Sequence, residues 1–160
     1  MFSIVQTSIS LMTISLTHKL LSYYLTNSPT HQLSMKDEFF YRKLNVYQKA
    51  VDLVAGIYKL LKIFPPEERY ALCDQIRRAS VSVPSNIAEG MSRVSDKEKN
   101  HFLEISTGSL METMCQIEIA KRLEYVSKED FDRVEKEIYE IACMLSSLRK
   151  KITQTNSLTH

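Results

Sequence analysis

From Phe131 onward, apolar residues return at spacings of 3, 4, 3, 4, 3 and 4: Val134, Ile138, Ile141, Leu145, Leu148 and Ile152. That rhythm lays a single apolar seam along a helix of six turns and suits helices that pack nearly parallel at about 20°. Upstream, Tyr47, Ala50, Val54, Ile57, Leu61 and Phe64 repeat the pattern, widened by Val51, Leu53, Tyr58 and Leu60. Two further stripes follow, Leu72, Ile76, Ala79, Val83 and Ile87, then Leu103, Leu110, Met114, Ile117 and Ala120. With three glycines and four prolines in 160 residues, the chain lacks the turn residues that a sandwich or barrel needs every 8–12 positions or so. The expected fold class is all-α.

Punctuation sets the boundaries. Helix one is expected over Lys43–Phe64, stopped by Pro65-Pro66, neither of which can donate the next backbone bond. Helix two is expected to open at Pro66 or Glu67, with Glu67-Glu68 against the positive end of its dipole, and to end near Gly90. Ser95 with Glu98 reads as a capping box for helix three, which runs to about Leu123. Gly108 inside it costs about 1 kcal/mol against alanine, and close approach of a neighbouring helix is the expected reason. Ser127, followed by Glu129 and Asp130, caps helix four after the turn Glu124-Tyr125-Val126. Short connections force antiparallel neighbours. The expected architecture is an antiparallel up-down-up-down four-helix bundle over residues 35–153, with a frayed tail at 154–160.

Residues 1–34 differ from the rest. They hold one charged side chain, Lys19, and no acid. No basic residue precedes the first apolar run, against a secretory signal, and Gln6, Thr7, Ser8 and Ser10 interrupt it. The expectation is a disordered extension, or an over-extended reading frame with Met35 as the natural start. A membrane-seeking helix around Leu11–Leu25 is the alternative, and no membrane partner is expected for the rest.

Composition excludes several classes. A net charge of +2, from 21 basic and 19 acidic side chains, does not mark a nucleic-acid binder, so any basic surface must come from clustering. Cys73, Cys115 and Cys143 form no CxxC pair and no zinc pattern; buried free thiols in a reducing cytoplasm are expected. Glu98–His101 is the single Glu-x-x-His spacing, where a di-metal bundle needs two. The glycines make no phosphate-cradling loop. No enzyme, metal, cofactor or small-molecule substrate is expected.

The segment Gln75–Gly90, QIRRASVSVPSNIAEG, asks for more than core filling. Pro84 lies inside helix two by periodicity and removes the bond to the Ser80 carbonyl, at a cost of about 3 kcal/mol in an ideal helix. A kink near Ser80–Pro84 is expected, with Ser80, Ser82 and Ser85 supplying substitute hydrogen bonds; two helices separated by a break is the alternative. Gln75, Arg78, Ser82, Ser85, Asn86 and Glu89 share a face apart from the apolar stripe. Helix three offers a matching one in Phe102, Ile105, Ser109, Glu112 and Gln116. This polar face has three readings: a solvated surface, an inter-subunit contact in which Arg78, Asn86, Glu89 and Glu112 pair, or a ligand site.

These residues carry a resemblance. The strings Phe64-Pro65 with a following glutamate, Gln75–Gly90, and FL.I..GSL.E over Phe102–Glu112 resemble the bacterial 23S rRNA-intervening sequence proteins, also called S23 ribosomal proteins. The likeness spans about Leu44–Ile152. It implies a left-handed antiparallel four-helix bundle that assembles as a ring-like homopentamer, and similarity to a related retroelement accessory bundle implies RNA binding. The signature positions carried over are Gln75, Arg77, Arg78, Asn86, Glu89, Gly90, Gly108, Ser109 and Glu112. The chain departs from the pattern at Tyr47, where Trp is frequent, and at Ser106 and Thr107, the latter losing a basic group.

Two functions from different classes follow. In one, the protein is a non-enzymatic oligomer that binds structured RNA or rRNA through Arg77, Arg93, Lys97, Lys99, Lys121, Arg122, Arg149, Lys150 and Lys151, repeated around a pentamer so that weak patches sum. In the other, the oligomer is a protein-interaction scaffold with no nucleic-acid role.

Overall fold

Helix α1, Asn45–Leu60, buries Val46, Ala50, Leu53, Ile57 and Leu60 along one face. The computed structural model describes residues 39–157. The expectations for residues 1–34, for a start at Met35 and for Leu11–Leu25 fall outside the described residues, as do 158–160 of the tail. Of the expected stripe, Ala50, Leu53, Ile57, Leu60, Leu61 and Phe64 are buried, and Val46 joins them. Val46, Leu53 and Leu60 point inward, whereas Tyr47 and Val54 are half-buried. Both sets share helical spacing with Ala50 and Ile57, so periodicity alone could not separate them.

The α1–α2 connection is longer than expected. α1 tightens into a 3-10 turn at Leu61–Ile63, and Phe64 then adopts extended backbone, as a residue before proline must. Pro66–Tyr70 form a separate 3-10 turn, and Ala71 breaks it with φ −110° and ψ −107°. Helix α2 therefore begins at Leu72, not at Pro66 or Glu67, and runs to Ser92. The Glu68 carboxylate accepts the Leu72 N–H at 3.2 Å, which satisfies one orphan donor of the first turn.

α2 continues unbroken through Pro84, so the two-helix alternative does not form. Ser80 and Ser85 donate to backbone carbonyls as expected and Asn86 does so in addition, but the acceptors are neighbours of the Ser80 carbonyl rather than that carbonyl itself. The Ser85 hydroxyl donates to the Val81 carbonyl at 2.9 Å, the Asn86 amide to the Ser82 carbonyl at 2.7 Å, and the Ser80 hydroxyl to the Arg77 carbonyl at 3.1 Å.

Helix α3, Asp96–Arg122, begins as expected: the Ser95 Oγ accepts the Glu98 N–H at 3.2 Å. Glu98 returns the contact by accepting from the Ser95 hydroxyl at 2.9 Å. The helix ends in a Schellman motif. The Tyr125 N–H reaches the Ala120 carbonyl at 2.9 Å and the Glu124 N–H the Lys121 carbonyl at 3.0 Å. Glu124 sits at the left-handed position with φ 62°, where glycine is usual. Ser127 then caps α4, Lys128–Ser157, by accepting the Asp130 N–H at 3.1 Å. α4 continues past the expected boundary at Thr153.

Cross-helix contacts give the arrangement. Tyr58 meets Arg77 between α1 and α2. Ser106 and Ser109 meet Val83 and Ser82 between α3 and α2. Glu104 and Asn100 meet Arg149 and Thr153 between α3 and α4, and Lys49 meets Glu140 between α1 and α4. Where two contacts are available, one partner's number rises as the other's falls, as antiparallel neighbours require. The four stripes close on one core that includes Leu53, Ile76, Ile87, Leu103, Leu110, Ile117 and Ile141. The structure is an all-α four-helix bundle.

Two glycines exchange their expected roles. A Cβ on Gly108 would meet nothing within 4 Å, so no helix among the described residues approaches there. A Cβ on Gly90 would stand 3.0 Å from Phe102 Cβ and 3.2 Å from the Lys99 carbonyl. Gly90 lies inside α2, and it permits the close passage of α3 rather than ending its helix. The cysteines also divide: Cys73 is buried, but Cys115 and Cys143 are exposed, on outward helix faces the spacing left open.

Candidate functional site

The polar face foreseen on the second and third helices becomes a hydrogen-bonded seam between α2 and α3. Ser82 Oγ stands at its centre, accepting from Asn86 Nδ2 and from the Ser109 hydroxyl, each at 2.9 Å. Beneath it, the fully buried Ser106 donates to the Val83 carbonyl at 2.9 Å. Sequence reading noted Ser106 only as a small residue; its place three positions before Ser109, on the core side of the same face, was the available signal. One turn further along α3, Gln116 Nε2 donates to Glu112 at 3.0 Å. Gln116 Oε1 is buried with no partner among the described residues.

The remaining members of this face stand apart. Gln75 is exposed. Arg78 pairs with Asp74 within α2 at 3.4 Å. Glu89 pairs with Arg93 one turn on, and the Arg93 guanidinium also lies 4.6 Å over the Phe102 ring. The structure thus brings together Ser82, Asn86 and Ser109, with Glu112 beside Gln116. Within one chain it does not join Arg78 or Glu89 to them.

Beyond the seam, the outward face of α3 mixes exposed apolar and small residues with charge, Glu104 before them and the Glu118–Arg122 pair toward the end of the helix. Ile105 and Ile119 are 39% and 43% exposed, Gly108 opens onto empty space, and Cys115 is exposed. Glu112 is the acid set among them.

The basic candidates separate to the two ends of the bundle. The α2–α3 turn and the end of α4 bring Arg93, Lys97, Lys99, Arg149, Lys150 and Lys151 to one end; Arg77, Lys121 and Arg122 lie toward the other. Many are already neutralised. Lys99 holds Asp96 at 2.7 Å, Arg122 holds Glu118 at 2.7 Å, and Arg149 crosses to Glu104 on α3. Lys121 Nζ lies 3.6 Å over the Phe131 ring. Lys97 and Lys150 are exposed. Arg77 donates to the Arg69 carbonyl at 3.3 Å. Near it, burial pushes the Cys73 thiol above its ordinary range, while the Arg77 and Arg69 charges pull the other way.

Among the described residues, no group of three or more His, Cys, Asp and Glu could hold a metal ion, and no helix is long and apolar enough to cross a membrane.

A comparison with curated proteins finds no match. Among solved structures, the chain is similar to a protein of unknown function from the S23 ribosomal protein family of Bacteroides thetaiotaomicron. The two are 26% identical, with a TM-score of 0.62 over 66% of this chain and 98% of that one. The family described as 23S rRNA-intervening sequence protein matches residues 42–147. That span includes α1, α2, α3 and the first two-thirds of α4, with the whole Ser82–Asn86–Ser109 seam: the chain belongs to the 23S rRNA-intervening sequence protein family.

Proposed function

We propose that this protein is a non-enzymatic homo-oligomer, a pentamer, whose copies meet on the α2/α3 face and which captures structured rRNA on basic groups repeated around the assembly. The observation that carries the reading is the outward face of α3. A helix whose sole neighbour is water gains about 1 kcal/mol from alanine in place of an interior glycine, and it has no use for exposed Ile105 and Ile119 beside Gly108. A second copy packed there accounts for all three.

RNA would engage the end that gathers Lys97, Lys99, Lys150 and Lys151. Each phosphate contact releases counterions, so affinity falls steeply with salt. A second reading, a protein scaffold without nucleic acid, is favoured by the acids already held by Arg93, Lys99, Arg122 and Arg149.

Light scattering after size exclusion is expected to return five times the protomer mass. The assembly should retain a structured rRNA fragment at low salt and lose it by a factor of 10 or more at several-fold higher salt. A clean monomer at micromolar concentration removes the oligomer, and no retention at low salt leaves the scaffold.

A further inference from the structure

The connection between α1 and α2 folds over a cavity of ≈ 480 Å³ lined by Lys62, Arg69, Arg77, Tyr58 and Phe64 with the Pro65-Pro66 turn. No carboxylate lines it. Arg78, Arg93, Lys99, Arg122, Lys128, Arg133 and Arg149 each hold an acid. None of the ion pairs among the described residues includes Lys62, Arg69 or Arg77. Three cations outside these ion pairs around one concavity repel one another, and neither acid of the adjoining turn, Glu67 or Glu68, forms an ion pair with them. Glu68 is engaged by the Leu72 N–H and, at 3.4 Å, by the Tyr125 hydroxyl.

The walls are as informative as the charge. The Arg77 guanidinium is steered by the Arg69 carbonyl and sits 6.0 Å from the Tyr58 ring centroid, which leaves most of its five N–H donors open. Tyr58 is 45% exposed and lines the cavity with the Arg77 guanidinium over one side of its ring. Cations that lack an acid, beside an exposed aromatic, match a ligand with anionic oxygens and a planar ring. The volume lies within the range of about 300–1,000 Å³ usual for small-molecule sites.

We infer that this cavity binds a nucleotide, its phosphate held by Lys62, Arg69 and Arg77 and its base against Tyr58. The nucleotide can be free or part of an RNA strand, since both present the same phosphate and base. This goes beyond the oligomeric reading. It needs neither the α3 face nor the basic end of the bundle.

The test is calorimetric titration of the full chain at low salt with AMP, adenosine, inorganic phosphate and a five-residue oligoadenylate. AMP is expected to bind, inorganic phosphate to compete, and adenosine to bind at least tenfold more weakly. The double variant Lys62→Gln/Arg69→Gln alters two exposed side chains outside the core and should weaken AMP at least tenfold. Lys97→Gln/Lys150→Gln, at the opposite end, should leave AMP unchanged. Binding of both AMP and oligoadenylate, lost in the first double variant, supports the site for either source; oligoadenylate alone, with the same loss, assigns it to a strand. No binding of either ligand, adenosine as tight as AMP, or equal affinity in the first double variant overturns the proposal. Loss of rRNA retention with AMP binding intact would defeat the oligomeric RNA reading and leave this one standing.

Discussion

Glu124 occupies the left-handed position of the α3 C-cap with φ 62°, which costs a residue with a Cβ on the order of 1 kcal/mol. The Schellman bonds to Ala120 and Lys121 hold it there because Tyr125 must turn inward, where its ring lies 5.8 Å from that of Phe64. The Glu124 side chain is exposed, so removing it sacrifices little. Glu124→Gly is expected to raise stability by about 0.5–1 kcal/mol in urea unfolding, less whatever glycine gains in the unfolded chain. Sequence reading placed the turn at Glu124-Tyr125-Val126 but not its backbone sign, because glutamate gives no hint of positive φ.

At the scale of elements, α3 passes close against Gly90 of α2, while Gly108 faces outward. The two glycines therefore predict opposite responses. In Gly90→Ala the new methyl meets Phe102 Cβ at 3.0 Å and backbone at 3.2 Å, and a backbone neighbour yields little. A loss of about 1–3 kcal/mol is expected. Gly108→Ala gains helix propensity without a clash and should stabilise the isolated protomer by about 1 kcal/mol. Urea melts of both variants, taken dilute enough to hold the chain as protomer, check the pair. From sequence the roles looked reversed. Gly90 stood near the end of a stripe, where a cap is normal, and Gly108 stood mid-helix, where close packing is the usual excuse. Only the crossing of the helices separates them.

At the scale of the molecule, Lys97, Lys99, Lys150 and Lys151 lie at one end of the bundle, whereas the strip of exposed Ile105 and Ile119 lies along α3, so the proposed assembly and the proposed RNA contact are separable by mutation. Ile105→Glu places a charge on the strip and is expected to shift the assembly to protomer in light scattering while the helical circular dichroism is kept. Arg149→Ala should act differently. Sequence reading grouped Arg149 with the RNA-binding candidates, but it ties α4 to Glu104 of α3 with its Nε buried. Its loss is expected to lower the melting temperature and leave the assembled mass intact.

The chain by itself determined the helices, their caps at Ser95 and Ser127, and the bundle. These follow from local periodicity and from side chains that satisfy orphan backbone groups within a few residues. The likeness carried by Gln75–Gly90 was legible for the same reason, since it is a contiguous string. Which edge of the α1 stripe sank deepest was decided only by packing, because Val46-Leu53-Leu60 and Tyr47-Val54 fit the spacing equally well, and the first set is buried while the second is half-buried. Packing also decided that Ser82, Asn86 and Ser109 meet while Arg78 and Glu89 pair within their own helix, and that Lys62, Arg69 and Arg77 converge on one cavity. Such relations join residues on different helices or turns. Their distances are set by how the rods cross and how the connections fold back, and no one-dimensional spacing contains that information.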